Sequence, residues 1–80
     1  MVTVNLWSGL RRLTDGEQAV QVQAGTLREM LDALVTAHPG LGPVIKAGVS
    51  ITVDGVITPN MNTPIHEGQE IYLIQRIKGG

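Results

Sequence analysis

The 80-residue sequence contains no cysteine and no phenylalanine, and its aromatic side chains are limited to Trp7 and Tyr72. Without cysteine, the chain cannot form disulfides, thiolate metal sites, iron–sulfur ligation or a thiol nucleophile, and it cannot carry a persulfide of its own. Because aromatic residues are so few, Val, Ile and Leu must supply the core, and this composition favours β-sheet.

An excess of charge and long apolar runs are also missing. Six Lys and Arg residues oppose seven Asp and Glu residues, giving a net charge of −1. This balance provides no basic surface for nucleic acid or an anionic membrane. No apolar run approaches the roughly 20 residues of a membrane-spanning helix, and the first residues form a strand pattern rather than a signal peptide. We therefore predict a cytoplasmic protein without nucleic-acid or membrane partners.

The first third of the chain has the pattern of a β-hairpin. Apolar residues alternate over residues 2–6, and Val20 and Val22 share one face of a second strand over residues 17–23. Turn-forming residues at 8–16 separate the two patterns. We expect these residues to form a long connection, with Leu10 and Leu13 tucked beneath it.

A single amphipathic helix is predicted after this hairpin. The segment Thr26-Leu27-Arg28-Glu29 has the spacing of a capping box, in which Thr26 accepts from the Glu29 amide and the Glu29 carboxylate accepts from the Thr26 amide. Apolar positions then recur with helical spacing as far as His38, and Pro39 ends the helix. A short turn is expected over residues 41–46.

The remaining sequence predicts a second hairpin and a last strand. Residues 49–53 alternate, Asp54-Gly55 is a favoured two-residue turn, residues 58–68 form an irregular crossing, and residues 70–74 form the last strand. This order predicts an α+β, ubiquitin-like β-grasp fold with a mixed sheet of four to five strands and one main helix across one face. By fold analogy, the last strand lies beside the first and places five residues in the core: Val2, Val4, Leu6, Ile71 and Leu73. We predict a single domain over residues 1–80 with a flexible tail from about residue 75.

No catalytic or metal site is predicted. His38 and His66 have no third ligand at useful spacing, and Glu67 and Glu70 are interpreted as solvated carboxylates rather than an acid–base pair. The arginine pair at residues 11–12 has no supporting neighbour in the sequence, so it is not assigned to a site.

The strand and helix order, the turn Ile-His-Glu-Gly at residues 65–68 and the terminal Gly79-Gly80 resemble the ubiquitin-like sulfur carrier proteins over nearly the whole chain. The resemblance implies that a ubiquitin-activating-type enzyme uses ATP and Mg²⁺ to adenylate the Gly80 carboxylate. A persulfide-bearing sulfurtransferase then supplies sulfur, and the resulting thiocarboxylate passes it to a synthase in cofactor biosynthesis. The protein itself would bind no cofactor and would act as a carrier and co-substrate, or as the non-catalytic small subunit of a synthase.

The residues before the terminal glycines are the expected partner contacts: Tyr72, Ile74, Arg76, Ile77 and Lys78. Tyr72 and Ile74 point away from the predicted helix-covered face, where apolar side chains are available for docking, and Ile77 is grouped with them. Arg76 and Lys78 carry charges that suit carboxylates on a partner. Gly79 and Gly80 lack Cβ atoms, so they can lie extended in a narrow slot and leave the acyl carbon open to attack.

Several functions are compatible with this resemblance. The length and the long first loop are similar to the small subunit of molybdopterin synthase, but residues 75–78 lack the proline often present there, so a thiamin-pathway carrier stays open. A ubiquitin-like modifier joined to target lysines through Gly80 is the main alternative. A plain interaction module with an inert tail is a further alternative.

Overall fold

The computed structural model describes residues 1–76, which form a five-stranded mixed sheet covered on one face by helices. The strands are β1 (Val2–Asn5), β2 (Ala19–Val22), β3 (Val49–Val53), β4 (Val56–Ile57) and β5 (Ile71–Gln75). The helices are a 3₁₀ helix, η1 (Ser8–Leu13), and two α-helices, α1 (Leu27–Ala37) and α2 (Leu41–Ala47). The strand order is β2-β1-β5-β3-β4; β1 and β5 are parallel and the other neighbouring pairs are antiparallel. The predicted α+β architecture, including the pairing of the last strand with the first, is confirmed.

The core lies between the sheet and α1. On the helix, Leu27, Met30 and Leu34 are completely buried, as the predicted helical spacing requires. The sheet contributes buried residues from all strands except β4: Val2, Val4, Val20, Val22, Ile51, Ile71 and Leu73. Leu6 was predicted to join them, but it lies one residue beyond the end of β1 and is only partly buried, packed against the core.

The start of α1 differs from the predicted capping box in one hydrogen bond. The Glu29 amide donates to Thr26 Oγ1 at 3.2 Å, as expected for an N-cap residue with extended backbone. The Glu29 carboxylate accepts instead from the Gly25 amide, at 2.8 Å. The prediction of a Glu29–Thr26 return bond was therefore wrong, and the preceding residue donates in its place.

Two connecting segments are more regular than expected. Residues 8–13 form η1, and the buried Thr14 donates from Oγ1 to Glu17 O at 2.8 Å, which closes the loop over the buried Leu10. The short turn predicted at residues 41–46 is the seven-residue helix α2. Pro43 lies in its first turn, where a missing amide hydrogen costs no helical hydrogen bond.

The second hairpin is confirmed and is tied to the start of β5. Asp54 and Gly55 have φ values of 52° and 83°, so both turn residues lie in the left-handed region, as a type I′ turn requires. The Asp54 amide donates to Glu70 O at 2.7 Å, and the Glu70 amide donates to Asp54 Oδ1 at 2.9 Å. β5 begins at Ile71 and still includes Gln75, where we placed the start of a tail. Across residues 1–76, no helix combines the length and apolar character needed to cross a bilayer.

Candidate docking face and adjoining groove

The central strand β5 carries the apolar residues that the sequence assigned to partner binding. It lies between β1 and β3, and its side chains alternate between the two faces of the sheet. Ile71 and Leu73 are buried under the helices, whereas Tyr72 and Ile74 on the other face are 44% and 43% exposed. The predicted orientation of Tyr72 and Ile74 agrees with the structure, and their role in binding stays a prediction.

The strand register extends this surface across the sheet. Tyr72 lies opposite Asn5 on one side and Thr52 on the other, and Thr52 lies opposite Ile57 of β4. Directly opposed residues share a face, so these four side chains belong together with Ile74; we call this set the open face. Ile57 is 68% exposed and was not assigned from the sequence. Its position two residues after the Asp54-Gly55 turn was the available signal.

Arg76 is the last described residue, and its side chain lies against Gly48 at the end of α2. A Cβ atom built on Gly48 would lie 3.0 Å from Arg76 Nη1 and 3.3 Å from Arg76 Cδ. Gly48 also has a φ of 115°, a conformation that favours glycine. Both properties explain a glycine here, and the contact places the Arg76 guanidinium beside the end of α2.

An open groove of about 940 Å³ lies next to this contact, between η1, α2 and the end of β5. Its lining is Trp7, Ser8, Gly9, Leu10, Arg12, Leu13, Val44, Ala47, Gly48, Gln75 and Arg76. We call it the Trp7 groove. The arginine pair at residues 11–12 had no supporting neighbour in the sequence. In the folded chain, Arg12 and Arg76 line the same groove although they are 64 positions apart (76 − 12). The local sequence contained no signal for this meeting.

The other assigned residues, Ile77, Lys78, Gly79 and Gly80, lie outside the described part of the chain. His38 caps the end of α1, where its amide donates to Leu34 O, whereas His66 lies in the turn before β5. Among residues 1–76, no three side chains of His, Cys, Asp or Glu are grouped closely enough to hold a metal ion.

A central parallel pair in a mixed sheet, with one main helix across a single face, defines the ubiquitin-like β-grasp class, and solved structures share it. A chain of the Amycolatopsis orientalis BexX/CysO complex has a TM-score of 0.80 at 22% identity, with 100% of each chain covered. SAMP1 from Haloferax volcanii has a TM-score of 0.79 at 25% identity, with 99% of this chain and 98% of that chain covered. A chain from the complex of subunits 1 and 2 of Helicobacter pylori molybdopterin-converting factor has a TM-score of 0.71 at 24% identity, with 99% and 97% covered.

Sequence comparison identifies the family. No curated protein sequence matches. The profile described as the ThiS family matches residues 4–80. The chain therefore belongs to the ThiS family, a family of ubiquitin-like sulfur carriers.

Proposed function

We propose that this protein carries sulfur as a thiocarboxylate on Gly80, after adenylation of the Gly80 carboxylate by a ubiquitin-activating-type enzyme. The observation that carries this proposal is the extent of the family match, which runs through Gly79 to the final residue, Gly80. A carboxylate oxygen is a poor leaving group, whereas AMP in an acyl-adenylate is a good one, so sulfur can displace it. The chain contains no cysteine, and the main-chain terminus is then the atom group that holds the sulfur.

The structure supports this proposal through the position of β5. This strand is hydrogen-bonded on both sides, so the residues that lead to the C-terminus start from the centre of the sheet. Gly80 lies six positions after Ile74 of the open face (80 − 74), and a fully extended chain spans about 20 Å at most over that distance. An enzyme that docks on the open face through Tyr72 and Ile74 must therefore hold its ATP and Mg²⁺ within that distance. We propose Ile77 and Lys78 as contacts along the path.

The sulfur acceptor and donor are further parts of the proposal. A persulfide-bearing sulfurtransferase supplies the sulfur: its outer sulfur displaces AMP from Gly80 to give an acyl disulfide. A thiol then cleaves the S–S bond, which releases the Gly80 thiocarboxylate and leaves a disulfide on the donor side. A synthase in molybdopterin or thiamin thiazole formation receives the sulfur. The Helicobacter pylori relative is a subunit of molybdopterin-converting factor and the Amycolatopsis orientalis relative is part of a complex with BexX. These likenesses are compatible with a carrier that acts beside a larger protein, and they leave the acceptor open.

Pyrophosphate release tests the activation step. The purified protein is mixed with the activating enzyme of its host, ATP and Mg²⁺, and pyrophosphate is measured over time. We expect release that depends on this protein and is lost when Gly79 and Gly80 are deleted. Release that continues at the same rate after the deletion would contradict the proposal, since the adenylated group would then lie elsewhere.

A second function is favoured by the similarity to SAMP1, whose Methanosarcina acetivorans counterpart is a small archaeal modifier protein. In this alternative, the activated Gly80 is transferred to lysines of target proteins instead of receiving sulfur. Immunoblots of host extracts would then show conjugates of higher mass that disappear when Gly79 and Gly80 are deleted. If no such conjugates form under any growth condition, the modifier hypothesis is wrong. A plain interaction module predicts unchanged partner binding after the same deletion.

A further inference from the structure

The Trp7 groove is lined in part by apolar side chains that are not fully buried. Trp7, Leu13 and Val44 are only partly buried, although they pack against the edge of the core. The indole of Trp7 lies on Gly9, where a Cβ atom would be 3.2 Å from Trp7 Nε1. The ring therefore lies against the chain at Gly9, and the folded protein presents an aromatic and aliphatic surface in the groove.

Among residues 1–76, the charged residues that line the groove all have one sign. Arg12 and Arg76 line it, and no carboxylate from this part of the chain does. In the part of the chain that the structure describes, the ion pair found joins the Met1 amino group to Glu67, away from the groove. Both arginines are exposed, so their guanidinium groups are accessible to an incoming acceptor. The groove is therefore a local positive site on a protein whose net charge is −1.

This combination matches one class of ligand better than others. Arginine guanidinium groups bind carboxylates through paired hydrogen bonds, and the apolar residues that line the same groove favour an aliphatic side chain. The groove is open to solvent, and its volume of about 940 Å³ is at the upper end of ligand sites, which suits a short peptide segment more than a small ion.

We propose that the Trp7 groove binds an acidic peptide segment with a central aliphatic side chain, with Arg12 and Arg76 holding its carboxylates. The groove includes Arg76, so its occupant lies beside the start of the segment that leads to Gly80. The inference rests on the proposed function in one respect: the acidic peptide segment is assigned to a partner protein that processes Gly80. Partner contacts at the Trp7 groove and at the open face would then hold the protein from two sides of the sheet.

Trp7 supplies the probe, because it is the single tryptophan in the chain and its ring lines the groove. The full chain is titrated with the capped peptide Asp-Glu-Leu-Glu-Asp while tryptophan emission is recorded. Two control peptides replace the leucine by serine or the four acidic residues by lysine. We expect a saturable change with the acidic leucine peptide, weaker binding of the serine peptide and no saturation with the lysine peptide. Added salt should weaken the binding.

Two charge-reversal variants distinguish the effect of a charge in the groove on peptide affinity from the effect of the protein's net charge. Arg12→Glu should weaken the acidic peptide about tenfold or more, because a charge-assisted hydrogen bond is replaced by repulsion. Arg28→Glu changes the net charge equally, but Arg28 lies in the first turn of α1 and outside the groove. It should alter the affinity by less than about twofold, since surface charges beyond a Debye length are screened. Circular dichroism melts of both variants show whether each is folded.

The outcomes distinguish this inference from its alternatives. A flat titration, equal binding of the lysine peptide, or equal losses in both variants would overturn it. A Trp7 signal that changes on dilution of the protein alone would overturn it in favour of a second copy of the chain as the occupant. The titration needs neither ATP nor an activating enzyme, so failure of the groove leaves the thiocarboxylate proposal standing, and failure of thiocarboxylate formation leaves a measured peptide site standing.

Discussion

Two adjacent residues of β4 provide the sharpest test of the open face. Val56 and Ile57 are aliphatic, belong to the same two-residue strand, and are 65% and 68% exposed. The register places Ile57 opposite Thr52 and so on the face of Tyr72, whereas Val56 lies opposite Val53 on the other side of the sheet. Replacing each by serine therefore removes nearly equal exposed apolar surface from opposite faces.

The expected effect follows from these exposures. Complete burial of an isoleucine side chain contributes about 1.5–3 kcal/mol, so docking of an Ile57 that is 68% exposed can contribute about 1–2 kcal/mol. At about 1.4 kcal/mol per tenfold, Ile57→Ser should lower kcat/KM for the protein as substrate of the activating enzyme about 5- to 30-fold. Val56→Ser should leave it within about twofold. Both substitutions are on the surface and should change the free energy of unfolding by about 1 kcal/mol or less.

The assay is the rate of pyrophosphate release as a function of carrier concentration, with urea unfolding of each variant as the control for stability. Tyr72→Ser and Ile74→Ser extend the series along β5. Equal activities for Val56→Ser and Ile57→Ser, or a larger loss for Val56→Ser, would show that the activating enzyme does not dock on the open face.

Three further substitutions test the fold. Leu34→Ala removes a completely buried side chain from the centre of α1 and should lower the free energy of unfolding by about 2–5 kcal/mol in urea titrations; a loss below about 1 kcal/mol would contradict its core position. Thr26→Ala deletes the N-cap acceptor of α1 and should cost about 1 kcal/mol in the same experiment, whereas unchanged stability would argue against the cap. Gly55→Ala places a Cβ at a φ of 83° and should cost about 1 kcal/mol or more by thermal unfolding; a stabilised variant would contradict the type I′ turn.

Local signals explain why most of the fold is predictable from the sequence. The spacing of Leu27, Met30 and Leu34 requires a helix with one buried face, and the Asp54-Gly55 pair requires a tight turn between strands. Each signal lies within a few residues of the structure that it specifies. The pairing of β1 with β5 came from fold analogy, because nothing in either strand alone names its neighbour.

Two errors in prediction concern the first turns of helices, where several hydrogen-bond partners are close together and unfavourable residues cost little. Glu29 can accept from either of two consecutive amides, and the sequence spacing does not separate Gly25 from Thr26. The helix α2 was underestimated because Gly42 and Pro43 usually oppose helix formation, yet both fall in its first turn, where their cost is small. Helix ends are therefore less predictable than helix centres.

Of the two candidate surfaces, the open face was partly predictable from the sequence and the Trp7 groove was not. The alternation of β5 predicted the exposure of Tyr72 and Ile74, since period two follows from strand geometry alone. The Trp7 groove depends on contacts between η1, α2 and the end of β5, which are distant in sequence. No local pattern places Arg12 beside the same space as Arg76, so this groove is visible only after folding.

The intact mass of the protein tests the central claim most directly. The protein is incubated with the activating enzyme of its host, ATP, Mg²⁺, a persulfide donor and a thiol reductant that cleaves the acyl disulfide. Its intact mass is recorded, and the C-terminal peptide is then fragmented. The sulfur-carrier function predicts a species heavier by one exchange of oxygen for sulfur, with the added mass on Gly80 and absent from a chain lacking Gly79 and Gly80. A terminus that remains a plain carboxylate while the enzyme consumes ATP in its presence would contradict the sulfur-carrier function.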